Sequence, residues 1–101
     1  MWVCFNDAFV SIVTDPKNPG WLLVRARRKE HLQALFPAQR VITTPKNDYR
    51  YRVSLPMLVV METVSKRIQD LKYPNFKDSV KEDELHNMYA KWWGDHYKFQ
   101  R

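Results

Sequence analysis

The chain has little of several residue types on which common functional sites depend. Of its 101 residues, one is a cysteine and two are glycines. A single cysteine excludes an internal disulfide and a cluster of thiolate metal ligands. The glycines, Gly20 and Gly94, are isolated, so the sequence contains no glycine-rich loop that could hold a phosphate group. No apolar run approaches the roughly 20 residues that a membrane-spanning helix needs.

Two further absences bear on the compartment. The N-terminus lacks the basic and then apolar pattern of a signal peptide. Cys4 lies in the apolar stretch "WVCFNDAFV", where a buried, unreactive thiol is expected. A reducing environment suits such a thiol. The sequence therefore predicts a soluble cytoplasmic protein with no membrane partner, no metal and no cofactor.

The composition describes a folded and basic chain. Hydrophobic residues make up 45% and aromatic residues 14%, which is enough for a core and excludes a disordered chain. Seventeen lysines and arginines against eleven acidic residues give a formal charge of +6. This balance favours acidic partners such as nucleic acid, although basic residues also serve solubility alone. At this length we expect one domain, residues 1–101.

Strand and helix signals alternate along the first half of the chain. Residues 1–14 are rich in Val, Phe and Ile and predict one strand. The turn formers "DPKNPG" follow, and residues 21–27 predict the returning strand of a hairpin. Leu32, Leu35 and Phe36 have helical spacing, which predicts a short helix over 28–36 that ends before Pro37.

The second half repeats this order and adds a helix. Strands are predicted over 40–43 and 49–53, with Ser54 as the cap of a helix that continues to about Leu71. The stretch "SVKE", from Ser79 to Glu82, fits a capping box and predicts a last helix to about Phe99. The predicted fold is α+β, in the order ββα-ββα-α. It has a four-stranded antiparallel sheet with helices on one face, so the other face is left in water.

Two of these strands carry arginine at alternate positions. In "WLLVRARR" the side chains of Arg25 and Arg27 share a face, and in "DYRYRV" those of Arg50 and Arg52 do. If the apolar faces meet the helices, all four arginines lie on the open face of one sheet. Like charges placed directly opposite each other are unfavourable unless something neutralises them. This arrangement predicts an anionic partner, such as a phosphate backbone or protein carboxylates.

An alternative is that the chain neutralises these arginines itself. The acidic residues that could do so are Asp7, Asp15, Glu30 and Asp48. The tyrosines of the second strand alternate away from the arginines, so Tyr49 and Tyr51 are expected on the helix side. In that position the tyrosines could not stack on bases bound at the arginines, so charge would be the main means of binding nucleic acid.

Catalytic and metal-binding patterns are weak. His86 and His96 are ten positions apart, which does not fit a metal pair on one helix. His86 follows Asp83 and Glu84, so a small ribonuclease-like hydrolase using these residues is a third-ranked hypothesis. Carboxylates at a helix start also complement the helix dipole without any catalytic role. We therefore expect a protein that is not an enzyme.

The stretch "KWWGDHYKF" is the most aromatic part of the chain. Adjacent tryptophans on a helix cannot both face one core, so Trp92 or Trp93 is expected to be partly exposed. Exposed aromatic side chains beside Lys91 and Lys98 have the composition of a protein interface. The alternative is that both tryptophans pack, one on the sheet and one on a neighbouring helix.

The segment "YPNFKDSVKEDELHNMYAKWW", together with "LLVRARR" and "DYRYRV", resembles a group of uncharacterised bacterial and phage proteins of about this length. Tyr73, Asn75, Phe76 and Lys77 carry most of the resemblance. It implies no activity, cofactor or site. Small phage proteins include inhibitors of bacterial defence complexes, such as anti-CRISPR proteins. Many of these inhibitors are acidic, so a chain of charge +6 departs from that pattern.

Three hypotheses follow. The first is a non-catalytic binding module whose basic sheet face engages nucleic acid or an acidic protein surface. The second is a phage-encoded inhibitor that docks on a defence complex through Trp92 and Trp93, and the third is the hydrolase. An exposed edge strand could also pair two copies into a homodimer.

Overall fold

The computed structural model describes all residues from Met1 to Arg101. Its strands are β1 (Trp2–Cys4), β2 (Phe9–Thr14), β3 (Trp21–Ala26), β4 (Ile42–Thr43) and β5 (Tyr51–Pro56). Its helices are α1 (Lys29–Leu35), α2 (Met57–Gln69), α3 (Phe76–Ser79) and α4 (Asp83–Tyr97). None of the four helices combines the length and the apolar character needed to cross a membrane. The expected α+β class with an antiparallel sheet is confirmed.

The sheet has five strands, not four, in the order β1-β2-β3-β5-β4, and every neighbouring pair is antiparallel. The extra strand arises because residues 1–14 form a hairpin and not one strand. Asn6 and Asp7 occupy its turn, and the Phe5 N–H donates to the Ala8 carbonyl at 2.8 Å. Asn and Asp favour turns because their short polar side chains compete for backbone hydrogen bonds.

One face of the sheet is covered by α1 and α2. The alternate residues Val10, Val24 and Val53 occupy this face and are almost fully buried. They belong to the main core, which also includes side chains from the strands, from or next to α1 and α2, and from the first hairpin: Phe5, Ala8, Ile12, Ala26, Leu32, Leu35, Phe36, Leu55 and Val60. Removing this apolar surface from water is the main stabilising contribution to the fold.

The opposite face is partly covered by α4, which packs on the β1–β2 end. A second core lies there and contains Phe9 from β2, Tyr49 from the segment before β5, Val80, and Leu85 and Tyr89 from α4. The Tyr89 hydroxyl donates to the backbone carbonyls of Phe5 (2.9 Å) and Ala8 (3.1 Å), which fixes α4 against the first hairpin. Helices therefore lie on both faces, which corrects the expectation of one helical face. The physical reason is that Phe9 gives the β1–β2 end an apolar surface for α4 to cover.

Two helix starts differ from the sequence prediction. Ser54 lies within β5, and α2 begins after Pro56 with no side-chain cap. The capping box is also wrong, because Ser79 ends α3 and the Glu82 carboxylate itself caps α4. It accepts hydrogen bonds from the N–H groups of Glu84 (3.2 Å) and Leu85 (2.6 Å). A carboxylate can satisfy free N–H groups at a helix start as well as a serine does.

Candidate anion-binding site

The sheet register places two arginines side by side on the face that α4 leaves uncovered. Arg25 of β3 is directly opposite Arg52 of β5, and Ser11 of β2 stands on the other side of Arg25. Both arginines are half-buried. The alternation of "WLLVRARR" therefore places Arg25 on this face, and that of "DYRYRV" places Arg52 beside it. We call Arg25, Arg27, Arg50 and Arg52 together the arginine face.

Arg27 and Arg50 reach this region from outside the strands. β3 ends at Ala26 and β5 begins at Tyr51, so neither residue belongs to the predicted alternation. Arg27 donates to the Asp48 backbone carbonyl at 2.7 Å and forms an ion pair with its carboxylate at 3.2 Å. Arg50 is exposed and makes no side-chain hydrogen bond or ion pair. The four arginines thus differ in how far they are already neutralised.

Tyr49 lies on the same side of the sheet as Arg25 and Arg27, which corrects the sequence prediction, and it is buried there in the second core with Leu85 and Tyr89 of α4. Because it precedes β5, the alternation of that strand does not determine its direction. The guanidinium carbons of Arg25 and Arg27 lie 4.6 Å and 4.3 Å from its ring centroid. The Arg52 Nε donates to the Tyr49 carbonyl at 3.3 Å. Cation–π contact with one ring holds two like charges close together.

Arg25 is held without a carboxylate. One of its terminal nitrogens donates to the Ser11 hydroxyl at 2.8 Å, and its Nε is buried with no hydrogen-bond partner. No acidic side chain lies within ion-pair distance of Arg25, Arg50 or Arg52. These three charges are therefore not neutralised within the chain, which suits them to an anion supplied from outside.

The acidic residues considered as internal counter-charges mostly lie elsewhere. Asp48 alone pairs with an arginine of this face. Asp7 binds Arg67 through two hydrogen bonds, of 2.7 and 3.0 Å. Asp15 accepts hydrogen bonds from Ser54 and Asn18, which lower the pKa of its carboxyl to about 2. Glu30 forms no ion pair.

A small cavity of about 150 Å³ opens beside the arginine face. Its apolar walls come from β1, β2 and α4, and Arg27, Arg28 and Glu84 also line it. Arg28 forms ion pairs with Glu84 and, at 3.6 Å, with Glu82, which link the start of α1 to that of α4. The wall side chains are Trp2, Phe9, Leu85, Met88 and Trp92. We call this space the aromatic cavity.

Two polar side chains complete the lining of the aromatic cavity, and both are almost fully buried. His31 is 7% exposed and Tyr49 is 4% exposed. The His31 Nδ1 accepts the Phe9 N–H at 3.2 Å, so the proton of the neutral imidazole is on Nε2. Burial lowers the pKa of His31 and favours this neutral form. Neither the His31 Nε2 nor the Tyr49 hydroxyl has a partner within the chain.

Tyr49, His31 and Trp2 were not expected as site residues from the sequence. His31 gives no sequence signal, because its role depends on the Phe9 backbone 22 positions away. Trp2 comes to α4 only through the unpredicted first hairpin, and its ring stacks on that of Trp92 at 6.1 Å between centroids. The only sequence signal for Tyr49 is the run of turn formers "PKND" just before it, because the alternation of a strand does not extend into a turn.

The aromatic stretch of α4 divides between core and solvent. Trp92 is half-buried and contacts Phe9 edge-on, with 5.0 Å between ring centroids. Trp93 is 46% exposed and stacks on Tyr97 at 5.4 Å. The Lys77 Nζ lies 3.9 Å from the centroid of the Trp93 ring. Lys91 and Lys98, which the sequence grouped with the tryptophans, are exposed and form no ion pair.

The structure assembles no catalytic or metal-binding group from the other candidates. The side chain of His86 makes no hydrogen bond to Asp83 or Glu84, which are its neighbours on α4. No three His, Cys, Asp or Glu side chains are close enough to hold a metal ion. Cys4 is exposed and not buried as expected, because β1 is an edge strand, while partial burial of its thiol raises its pKa.

Comparisons with known proteins give no relative for this chain: no protein-family model, no curated protein and no solved structure matches it. The function of the arginine face is therefore inferred from its own geometry.

Proposed function

We propose that the protein is a non-catalytic binding module whose arginine face engages an anionic macromolecule, with nucleic acid as the preferred partner. The observation that carries this proposal is the direct pairing of Arg25 with Arg52 in the absence of any carboxylate. Guanidinium groups donate several hydrogen bonds in a plane, which suits phosphate oxygens. A phosphate between the two arginines would remove their repulsion and accept hydrogen bonds from their guanidinium groups.

The test compares nucleic-acid binding before and after removal of these two charges. The Arg25→Ala/Arg52→Ala variant is expected to bind a fluorescent oligonucleotide at least about tenfold more weakly in an anisotropy titration, because charge-assisted hydrogen bonds contribute roughly 1.5–3 kcal/mol each. Lys66→Ala/Lys72→Ala is the matched control, since it removes the same charge from α2 and the segment that follows it. Equal losses in both variants would show that net charge alone drives binding and would refute the proposal.

A second candidate function is docking on a protein complex, as in a phage-type inhibitor of a bacterial defence complex. The exposed stack of Trp93 on Tyr97, with Lys77 on the Trp93 ring, favours it. Exposed tryptophans beside positive charge are frequent anchors of protein interfaces. An acidic protein surface would then replace phosphate on the arginine face, with charge speeding association.

This candidate predicts that Trp93→Ala dissociates faster from such a partner in a surface plasmon resonance measurement. Truncation of a central interface tryptophan costs about 2 kcal/mol or more, which is a roughly thirtyfold change. Trp21→Ala is the matched control, because Trp21 is 40% exposed but lies on β3. Equal dissociation rates for the two variants would show that α4 is not part of the interface.

The edge strands bear on a possible homodimer. They are β1 and β4, of three and two residues. Short edge strands are a common means of limiting edge-to-edge pairing. A dimer formed through either edge would have only these few backbone groups to pair, so binding as a monomer is the preferred form of the proposal.

A further inference from the structure

The aromatic cavity is suited to one flat ring system. Its volume of about 150 Å³ is below the roughly 300–1,000 Å³ of cavities that hold drug-sized molecules. Aromatic side chains from β1, β2 and α4 form the walls, and Trp2, Phe9 and Trp92 already contact one another there. A planar ring can contact such walls with its faces and edges, since aromatic groups interact favourably in stacked and edge-on arrangements.

The buried polar groups that line this cavity lack partners in the chain. The His31 Nε2 carries a proton to donate, and the Tyr49 hydroxyl can both donate and accept. Both side chains are more than nine-tenths buried, yet the protein does not enclose these two atoms, so they are open to a ligand in the cavity. A fixed donor beside a donor–acceptor group is complementary to the edge of a nucleobase, which presents both acceptors and donors.

The cavity is also continuous with the arginine face. Tyr49 lines the cavity, and its ring lies under the guanidinium groups of Arg25 and Arg27. Arg27 itself belongs to both regions. A group bound in the cavity would therefore have positive charge next to it, as the base of a nucleotide requires for its phosphate. A neutral aromatic metabolite has no anionic group to pair with these arginines.

We infer that the aromatic cavity receives one unstacked base of a single-stranded nucleic acid whose phosphates lie on the arginine face. This inference rests on the proposed function and names its ligand more closely. The base packs against the aromatic walls and takes hydrogen bonds from His31 and Tyr49. A duplex would have to release a base from its stack first, at a cost of a few kcal/mol, so single strands bind more tightly.

The test separates the contribution of the base from that of the phosphates. A thymidine oligonucleotide of about 12 nucleotides is titrated against an abasic strand of the same length, with fluorescence anisotropy as the readout and salt held constant. The wild-type protein is expected to prefer the base-bearing strand by roughly 5- to 100-fold, since stacking contributes about 1–3 kcal/mol per base. Tryptophan emission is expected to change with this strand and not with the abasic one, because Trp2 and Trp92 line the cavity.

Two conservative variants locate the preference in the cavity. Tyr49→Phe keeps the ring under the arginines and removes only the hydroxyl. His31→Asn keeps an acceptor near the Phe9 N–H and removes Nε2. Each is expected to lower the ratio of the two affinities, base-bearing over abasic, several-fold, and because the readout is a ratio, any general change in binding by the arginine face affects both strands alike. Should His31→Asn fail to fold, Tyr49→Phe still provides the test.

Three outcomes distinguish the inference from the proposed function. Equal affinity of the wild-type protein for the two strands would overturn the inference and leave binding by the arginine face intact. Equal affinity for a single strand and its duplex would overturn it as well. If neither strand binds at low salt, the proposed function itself fails, and the inference fails with it.

Discussion

Arg25 and Arg52 form the most unusual residue pair in the molecule, because they are like charges directly opposite each other on neighbouring strands. Pairs of this kind are destabilising by roughly 0.2–1 kcal/mol. We expect Arg52→Gln to raise the free energy of unfolding by about 0.5 kcal/mol at low salt, measured by urea denaturation. The gain should disappear in 1 M NaCl, where the screening length is only about 3 Å. A gain that is the same at both salt concentrations would show that repulsion is not its cause.

His31 gives a second prediction, on pH. Burial lowers its pKa from the ordinary value of 6.5, so the unfolded chain takes up a proton before the folded chain does. The stabilising effect of neutral His31 is complete above pH 6.5 and is lost as the pH falls below that value. We expect the free energy of unfolding to fall as the pH is lowered from 7 to 5.

Urea denaturation across this pH range measures the effect, and His31→Asn should flatten the curve because it removes the titrating ring. The nearby carboxyl groups of Asp7 and Glu30 and the other two histidines are the same in both proteins, so the difference between the two curves belongs to His31. A variant that keeps the full slope would exclude His31 as the titrating group.

Single residues also show where sequence reasoning succeeds and where it stops. Period-2 alternation placed Arg25 and Arg52 on one face because both lie inside strands. It failed for Tyr49 because the strand begins two residues later, and a residue outside the ladder is free to turn to either side. At the ends of strands, the alternation of the sequence no longer determines the direction in which a side chain points.

At the level of secondary-structure elements, the side chain of Tyr89 joins α4 to the first hairpin by hydrogen bonds, in addition to the apolar packing of Leu85 and Trp92. The Tyr89 hydroxyl donates to two backbone carbonyls in the turn between β1 and β2. We expect Tyr89→Phe to lower the free energy of unfolding by about 1–2 kcal/mol, because buried carbonyl oxygen loses a hydrogen bond.

Tyr73→Phe provides the matched control for this measurement, since the Tyr73 hydroxyl makes no hydrogen bond within the chain. It is expected to change stability by less than about 0.5 kcal/mol. Both variants can be measured by urea denaturation. Equal effects of the two substitutions would mean that the ring of Tyr89, and not its hydroxyl, positions α4.

Helices were easier to locate than to orient. Helical spacing predicted α2 and α4 to within two residues at their C-terminal ends. The same spacing groups Val60, Met61, Val64, Ile68 and Leu71 on one apolar side of the predicted helix. Val60 is buried and Val64 is half-buried, whereas the other three are exposed. Spacing shows that an apolar side exists, but contact with the sheet decides which part of it is covered.

Over the whole molecule, the two faces of the sheet have different roles. α1 and α2 cover one face, where the main core lies. α4 packs on the β1–β2 end of the other face, so the β3–β5 end keeps Arg25 and Arg52 half-exposed.

The sequence could predict a basic face but not the neighbouring aromatic cavity, because the cavity forms between β1, β2, α1 and α4. Contacts between distant segments of this kind leave no local pattern.

The salt dependence of single-strand binding tests the central claim most directly. Each phosphate contact lowers log K by roughly 0.7 per unit of log salt for single strands. We expect Arg25→Ala/Arg52→Ala to reduce the wild-type slope by about 1.4 and Lys66→Ala/Lys72→Ala to leave the slope unchanged. An unchanged slope in the arginine variant, or no binding by the wild-type protein at low salt, would contradict the assignment of nucleic acid to the arginine face.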